Sequence, residues 1–168
     1  RLYLFFPLSV DFLRVKLNDY LGAKKYMEKS LKINPNNTWT QYEYAGILKN
    51  LGDYDEAKKH YSLALQFDPN NEAATRGYAD LLQNYLSQVD EAKRILEEAI
   101  KKNPNDAKNY FDYAIILMNN KDSVNAKKNH EKALSLMQND AYAHITYAGF
   151  LQDSKEYGQA KKYYKKAL

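Results

Sequence analysis

The chain has 168 residues, and its 45% apolar and 27% charged content is that of a folded protein rather than a disordered segment. The absence of cysteine excludes disulfide bonds and thiolate metal sites. The formal net charge of +4 permits an anionic partner without requiring one.

The first residues are apolar from Leu2 to Val10, but this stretch is too short to cross a bilayer and is broken by Pro7. It predicts a buried opening helix, with the remnant of a removed targeting segment as the alternative. Since the first residue is Arg1 rather than methionine, we expect a fragment or a processed chain.

One pattern then recurs about every 34 residues. An alanine followed by two basic residues begins at positions 23, 57, 92, 126 and 160, at spacings of 34, 35, 34 and 34. A tyrosine-alanine pair, with leucine three residues beyond the alanine, recurs from Tyr44 to Tyr147. Such a period is typical of stacked helical hairpins. The repeats fall at about 4–37, 38–71, 72–106, 107–140 and 141–168, with the last truncated.

The second repeat shows how these residues form a hairpin. Over residues 41–51 the apolar side chains fall at helical spacing, and Gly52 and Asp53 then interrupt the helix. Asp53, with Glu56 three residues later, predicts a capping box for the next helix, which Pro69 ends. Each repeat is therefore predicted to be a helix pair that buries its apolar stripes against its neighbours.

The period, the small residues and the prolines resemble the tetratricopeptide repeat family over nearly the whole chain. The resemblance implies an all-α fold, a right-handed α-solenoid of about five stacked helix-turn-helix repeats in a single domain covering residues 1–168. The first repeat departs from the family pattern, with Asp11 where alanine is expected and Arg14 where leucine is expected.

In this family the first helix of each repeat lines a concave groove that takes partner peptides or helices. The resemblance places in that groove Trp39, Tyr42, Glu43, Arg76, Asp80, Lys108, Phe111, Asp112, Tyr142 and Thr146. Rigid aromatic rings give contact area at low entropic cost, which suits peptide capture. Packing of Trp39 on the preceding repeat is the alternative for that residue.

Some members of the family hold the carboxylate of a chaperone tail with a clamp of lysines and asparagines. The clamp positions carry Tyr42, Gly46, Gly77, Lys108 and Asp112 here, and most of these are the wrong type. This argues against a chaperone-tail cochaperone.

The basic pairs lie just after the alanine of each second helix and are expected to project outward on the convex side. They are Lys24-Lys25, Lys58-Lys59, Lys93-Arg94, Lys127-Lys128 and Lys161-Lys162. We expect a solvated face that forms salt bridges with nearby acids such as Asp55, Glu56, Glu91 and Glu131. Binding of an anionic partner, nucleic acid or acidic protein, is the alternative, and it would weaken steeply with salt.

No catalytic arrangement is visible in the sequence, which has no phosphate-binding glycine loop, nucleophile elbow or His-Glu-x-x-His motif. His60, His130 and His144 fall at different repeat positions, so no shared metal site is expected. We therefore predict that the chain is not an enzyme and uses no cofactor.

The leading hypothesis is a protein-protein interaction scaffold that binds a partner peptide or helix in the concave groove. The first alternative is a structural protein that forms a homo-oligomer by repeat stacking, end to end or laterally. The second is binding of an anionic partner through the lysines, with nucleic acid the less favoured partner, and a targeting module of a larger enzyme ranks last. No membrane span is predicted, and a cytoplasmic location fits the absence of cysteine.

Overall fold

A computed structural model describes residues 19–168, and within that range every regular element is an α-helix. The helices are α1 (Tyr20–Ile33), α2 (Thr38–Leu51), α3 (Tyr54–Phe67), α4 (Glu72–Asn84), α5 (Val89–Lys102), α6 (Ala107–Asn119), α7 (Ser123–Leu136), α8 (Ala141–Asp153) and α9 (Tyr157–Lys166). The all-α helical-repeat solenoid class predicted from the sequence is confirmed.

The helices follow the sequence repeats in pairs: α2 with α3, α4 with α5, α6 with α7, and α8 with α9. Helix α1 is the second helix of the first repeat. The expectations for the opening helix, for Asp11 and for Arg14 lie outside the described residues.

The chain divides into two compact units, one ending at Ala92 and the other beginning at Lys93. The first unit contains α1 to α4 and the start of α5, and the second contains the remainder of α5 and α6 to α9. The single domain over residues 1–168 stays a prediction.

Short asparagine- and aspartate-rich turns join one repeat to the next. After α3, Asp68 takes an extended conformation that ends the helix, and its side chain accepts a hydrogen bond from the Asn70 backbone N–H at 3.1 Å. The Asn71 side chain then accepts from the Ala74 backbone N–H at 2.8 Å and caps α4. The first backbone N–H groups of a helix have no partner within the helix. The side-chain oxygen of an asparagine or aspartate at this place accepts a hydrogen bond from one of them.

The turn within a repeat uses a residue with left-handed backbone geometry. Gly52 takes it after α2 with φ +85°, and Lys121 and Lys155 take it in the last two repeats with φ near +64° and +63°. The capping box predicted for Asp53 is wrong: Asp53 stands at the N-cap position of α3, but its side chain makes no capping hydrogen bond. It contacts a lysine of the preceding repeat instead.

The alanines that precede the basic pairs are all buried. Their exposed fractions lie between 0% and 3% at Ala23, Ala57, Ala92, Ala126 and Ala160. A methyl side chain leaves room for two helices to approach closely, so larger residues can fill the space on either side. In α2 these larger residues are Tyr44 and Leu48, and both are buried. One face of α2 is therefore packed in the core, and the other face can contact solvent or a partner.

Candidate partner-binding surfaces

The first unit presents aromatic side chains on the face of α2 that lies opposite its buried stripe. Trp39 is 37% exposed and Tyr42 is half-buried, whereas Glu43 is buried. Arg76 and Asp80 of α4 are half-buried. Of the five residues predicted here, Trp39 therefore offers the most surface and Glu43 the least.

Tyr42 belongs to a run of rings that crosses from one repeat to the next. Its ring centroid lies 6.3 Å from that of Tyr61, and the Tyr61 ring stacks on Tyr78 at 6.1 Å. Gly77 makes room for this stack, because a Cβ there would lie 2.7 Å from a ring carbon of Tyr61. Gly77, one of the five clamp positions considered from the sequence, is thus required by packing.

A lysine bridges α2 and α4 beside these rings. Lys49 Nζ lies 2.5 Å from Asp80 Oδ2 and 5.6 Å from the ring centroid of Tyr85. The Asn84 side chain donates to the other carboxylate oxygen of Asp80 at 2.7 Å. Asp80 is therefore engaged in a small polar network, and a ligand would have to exchange one of these contacts to reach it.

The second unit distributes its predicted residues differently. Lys108 is exposed, Asp112 is half-buried, and Tyr142 is 68% exposed. The Thr146 hydroxyl donates to the backbone carbonyl of Tyr142 at 2.8 Å. Phe111 is 4% exposed and belongs to the hydrophobic core, so the structure does not place it on the predicted groove surface.

Phe111 packs against a histidine that sequence reasoning did not single out as a core residue. His130 is 1% exposed, and its ring lies 5.7 Å from Phe111, 5.9 Å from Tyr147 and 4.9 Å from Phe150. Neither ring nitrogen has a hydrogen-bond partner. Burial lowers the pKa of His130 to about 4, because the aromatic surroundings disfavour the charged imidazolium.

His60 lies in a different setting in the first unit. Its Nδ1 is 2.5 Å from the Gln41 side-chain oxygen, and its ring meets Tyr44 edge-on at 4.6 Å. Burial lowers the pKa of His60, and Glu56 opposes that shift. Within residues 19–168 no group of three or more histidine, aspartate or glutamate side chains is placed to hold a metal ion.

The tyrosines of the recurring tyrosine-alanine pairs donate hydrogen bonds to glutamates. Tyr44 bonds to Glu28 at 3.2 Å and Tyr147 bonds to Glu131 at 3.1 Å, each on the second helix of the preceding repeat. Burial, reinforced by Glu28, raises the pKa of Tyr44 to about 12. Glu131, predicted as a partner for lysine, therefore has a different role, and a glutamate sixteen residues before the tyrosine is the sequence signal for it.

In three of the five basic pairs, the first lysine contacts an acid of the next repeat. Such ion pairs join Lys24 to Asp53 at 3.0 Å, Lys58 to Glu91 at 2.8 Å, and Lys127 to Glu156 at 2.9 Å. We call these contacts the lysine ladder. Hydrogen bonds from Asn125 lower the pKa of Asp122, and the charge of Lys93 makes a smaller contribution in the same direction.

The ladder only partly follows the sequence expectation. Glu91 was among the expected acids and is a partner, and Glu56 contacts Lys59 within its own helix at 3.5 Å. Asp53 and Glu156 were not expected. The signal for them is a lysine-to-acid spacing of 29 residues, whereas Gln88 stands 30 residues after Lys58 and accepts a hydrogen bond from it.

An open cavity of about 800 Å³ lies on the second unit between α7, α8 and α9. Its polar lining includes Glu131, His144, Tyr163 and Lys166, and none of the predicted groove residues lines it. Across the described part of the chain, no helix is both long and apolar enough to cross a membrane.

A family model for the tetratricopeptide repeat matches residues 14–81 and 51–112, which together include more than half of the chain. No curated protein matches the sequence significantly.

Solved structures share the fold. PilF of Pseudomonas aeruginosa is 23% identical with a TM-score of 0.78, over 96% of this chain and 72% of PilF. MamA of Desulfovibrio magneticus RS-1 is 18% identical with a TM-score of 0.72, over 97% and 91% of the two chains. YrrB, titled a TPR protein with an unusual peptide-binding site, is 20% identical with a TM-score of 0.62, over 92% and 79%. With the repeat pattern and the family match, the chain belongs to the tetratricopeptide repeat family.

Proposed function

We propose that this chain binds a peptide or helical segment of another protein through the exposed faces of the first helices of its repeats. Tetratricopeptide repeat proteins are typically non-catalytic scaffolds for protein interactions. The observation that carries the proposal is that Trp39 and Tyr142, each the second residue of a first helix, remain exposed on helices whose other faces are buried.

In the first unit the proposed surface combines Trp39 and Tyr42 with the ion pair of Lys49 and Asp80. Tryptophan and tyrosine supply rigid contact area, and they are enriched among the residues that dominate binding energy. The ion pair offers a cation and an anion to a ligand that carries either charge. This combination suits a peptide with an apolar anchor and a polar backbone.

In the second unit the proposed surface contains Tyr142, Thr146 and Lys108. Tyr142 is 68% exposed, compared with 37% for Trp39. Phe111 takes no part because it lies in the core. We treat the two surfaces as separate sites, each tested by its own variants.

A protein partner is favoured over nucleic acid by the lysine ladder. Lys24, Lys58 and Lys127 already contact carboxylates, so their charges are partly neutralised within the chain. Nucleic acid binding depends on cations that are free to replace the counterions of phosphates. The printed description of YrrB as a protein with a peptide-binding site supports peptide binding as a use of this fold.

The test begins with a displayed library of random 15-residue peptides selected on the intact chain. Dissociation constants of the selected peptides are then measured with Trp39→Ala/Tyr42→Ala and with Tyr142→Ala. We expect at least one of these variants to lose about tenfold in affinity, because truncated aromatic anchors commonly have that effect. The control is Lys59→Ala/Lys128→Ala, which removes exposed cations from second helices.

Two results would contradict the proposal. One is a selection that yields no binder above background. The other is a set of peptides whose affinity falls in the lysine control and is unchanged in both aromatic variants. Circular dichroism on each variant confirms that the helices remain folded.

A further inference from the structure

The open cavity of about 800 Å³ on the second unit lies where the fourth and fifth repeats meet. Helix α7, the turn after it, α8 and α9 all contribute to its walls. None of the side chains proposed above for peptide binding lines it, so the cavity is a different site. Its volume falls within the range of about 300–1,000 Å³ that is usual for small-molecule sites.

A buried histidine forms part of the cavity wall. His144 is 8% exposed, and its Nδ1 has no hydrogen-bond partner within residues 19–168. The ring of Tyr163, which also lines the cavity, meets the His144 ring edge-on at 5.9 Å between centroids. Most buried polar atoms in proteins have a partner, because a buried atom without one destabilises the fold. A ligand that bonds to His144 from the cavity would supply the missing partner.

The residue equivalent to His144 has a partner at two other repeat boundaries. The Gln41 side chain donates to the Pro35 carbonyl at 2.5 Å, and the Tyr110 hydroxyl donates to the Pro104 carbonyl at 3.2 Å. In both cases the acceptor is the proline six residues earlier. Before α8 a glutamine stands at the proline position, and His144 forms no such bond. The unpartnered nitrogen is therefore particular to this boundary and not a general property of the repeat.

The cavity also carries one charge of each sign. The Glu131 carboxylate accepts a hydrogen bond from the Tyr147 hydroxyl at 3.1 Å, which holds it in place. Lys166 Nζ lies 4.8 Å from the ring centroid of Tyr163. Within residues 19–168 neither Glu131 nor Lys166 forms an ion pair, although both line the same cavity. A ligand that carries both an ammonium group and a carboxylate can pair with each of them.

We propose that this cavity binds a small zwitterion, an amino acid or a short peptide, with its ammonium group at Glu131 and its carboxylate at Lys166. A hydrogen bond to His144 orients the ligand between the two charges. The charges favour this class, because a ligand with a single charge would leave one of the two side chains without a partner. Binding here goes beyond the proposed capture of a protein segment and uses other residues.

The test begins with saturation-transfer-difference NMR of the full chain against the standard free amino acids and a set of dipeptides, which separates the two sizes of ligand. Dissociation constants are then measured for the strongest binder and for two derivatives. Its carboxamide lacks the carboxylate, and its N-acetyl form lacks the ammonium group. We expect each derivative to bind about tenfold more weakly, since each loses one charge-assisted contact.

Matched variants assign the two charges. In Glu131→Gln, which retains an acceptor for the Tyr147 hydroxyl, the N-acetyl form should bind as tightly as the parent ligand. In Lys166→Gln the carboxamide should bind as tightly as the parent. The control is Lys162→Gln, which removes an exposed charge of the same helix outside the cavity and should leave all three affinities unchanged.

The last variant, His144→Gln, separates binding from folding. Its side chain can donate to the carbonyl six residues earlier, as Gln41 does, so the thermal midpoint should be no lower than that of the wild type. The affinity for the zwitterion should nevertheless fall several-fold. The proposal would be overturned by a panel without a binder, by derivatives that bind as tightly as the parent, or by unchanged affinity in His144→Gln. Equal weakening of all three ligands in both charge variants would also overturn it.

Discussion

The two units place different side chains at the same repeat position. Tyr61 in the first unit is 2% exposed and stacks on Tyr78 of the following repeat. His130 in the second unit is 1% exposed and lies among Phe111, Tyr147 and Phe150 with both nitrogens unpartnered. Either ring fills the space between repeats, but only the imidazole changes charge near neutral pH. The comparison shows that repeat packing fixes a shape at this position and leaves its chemistry open.

The largest effect that can break this comparison is acid destabilisation of the second unit. His130 has a pKa of about 4 in the folded chain and near 6.5 when unfolded. The neutral ring is therefore compatible with the fold at pH 7, and stability falls as the pH drops from 6.5 towards 4. The loss should reach about 3 kcal/mol, since each pKa unit corresponds to about 1.4 kcal/mol. Hydrogen exchange at pH 7 and pH 4.5 measures it helix by helix.

The matched variant is His130→Phe, which fills the same pocket with a ring that cannot be protonated. We expect its hydrogen-exchange protection in α7 and α8 to depend less on pH than that of the wild type. An acid response in these helices that is the same in both proteins would show that other groups cause it.

The next effect concerns the small residues that both units share. Ala57→Leu in the first unit and Ala126→Leu in the second should each cost about 2 kcal/mol, because each site is fully buried and a larger side chain overpacks it. Trp39 fluorescence reports unfolding of the first unit, and hydrogen exchange reports both. Exposed Val124→Leu is the control and should change little. An unchanged unfolding midpoint in either alanine variant would contradict the helix register.

A third effect, of about 1 kcal/mol, distinguishes the turns of the two units. Gly52 has a φ of +85°, which a lysine adopts only with strain, so Gly52→Lys should destabilise the first unit by roughly 1 kcal/mol. The reciprocal change Lys121→Gly in the second unit removes strain at φ +64°. It should stabilise by about half as much, because glycine is also more flexible when unfolded. Thermal denaturation measures both, and two changes of the same sign would contradict this account of the turns.

The smallest effect concerns the lysine ladder. Lys127→Ala should cost about 0.5 kcal/mol through loss of the contact with Glu156, because both side chains are partly solvated. Added salt should diminish the difference between this variant and the wild type. Lys128→Ala, at the exposed neighbour, is the control. If urea denaturation gives the same loss in the free energy of unfolding for both variants, the lysine ladder does not stabilise the fold.

The sequence predicted the helix pairs well because their signals are local. The period of the alanines, the glycine at position 52 and the proline at position 69 each act within one hairpin. The capping box at Asp53 failed because a lysine of the preceding repeat competes for its carboxylate. The Asp53 side chain could bond either to a backbone N–H of its own helix or to Lys24 of the preceding repeat. A local sequence pattern cannot show which of these two partners it takes.

The candidate site was harder to predict, because exposure depends on contacts between repeats. Trp39 and Phe111 both belong to the groove pattern, yet one is 37% exposed and the other 4%. They occupy the second and the fifth position of their repeats, and Phe111 packs in an aromatic cluster with His130. The partner-binding role of the remaining residues stays a prediction.

Hydroxyl-radical footprinting of the chain, with and without a selected peptide, tests most directly whether the first helices carry the binding surface. We predict that the peptide slows oxidation of Trp39 or Tyr142, while Tyr26, exposed on a second helix, reacts as before. Unchanged oxidation of Trp39 and Tyr142, with protection of Tyr26 instead, would contradict the account.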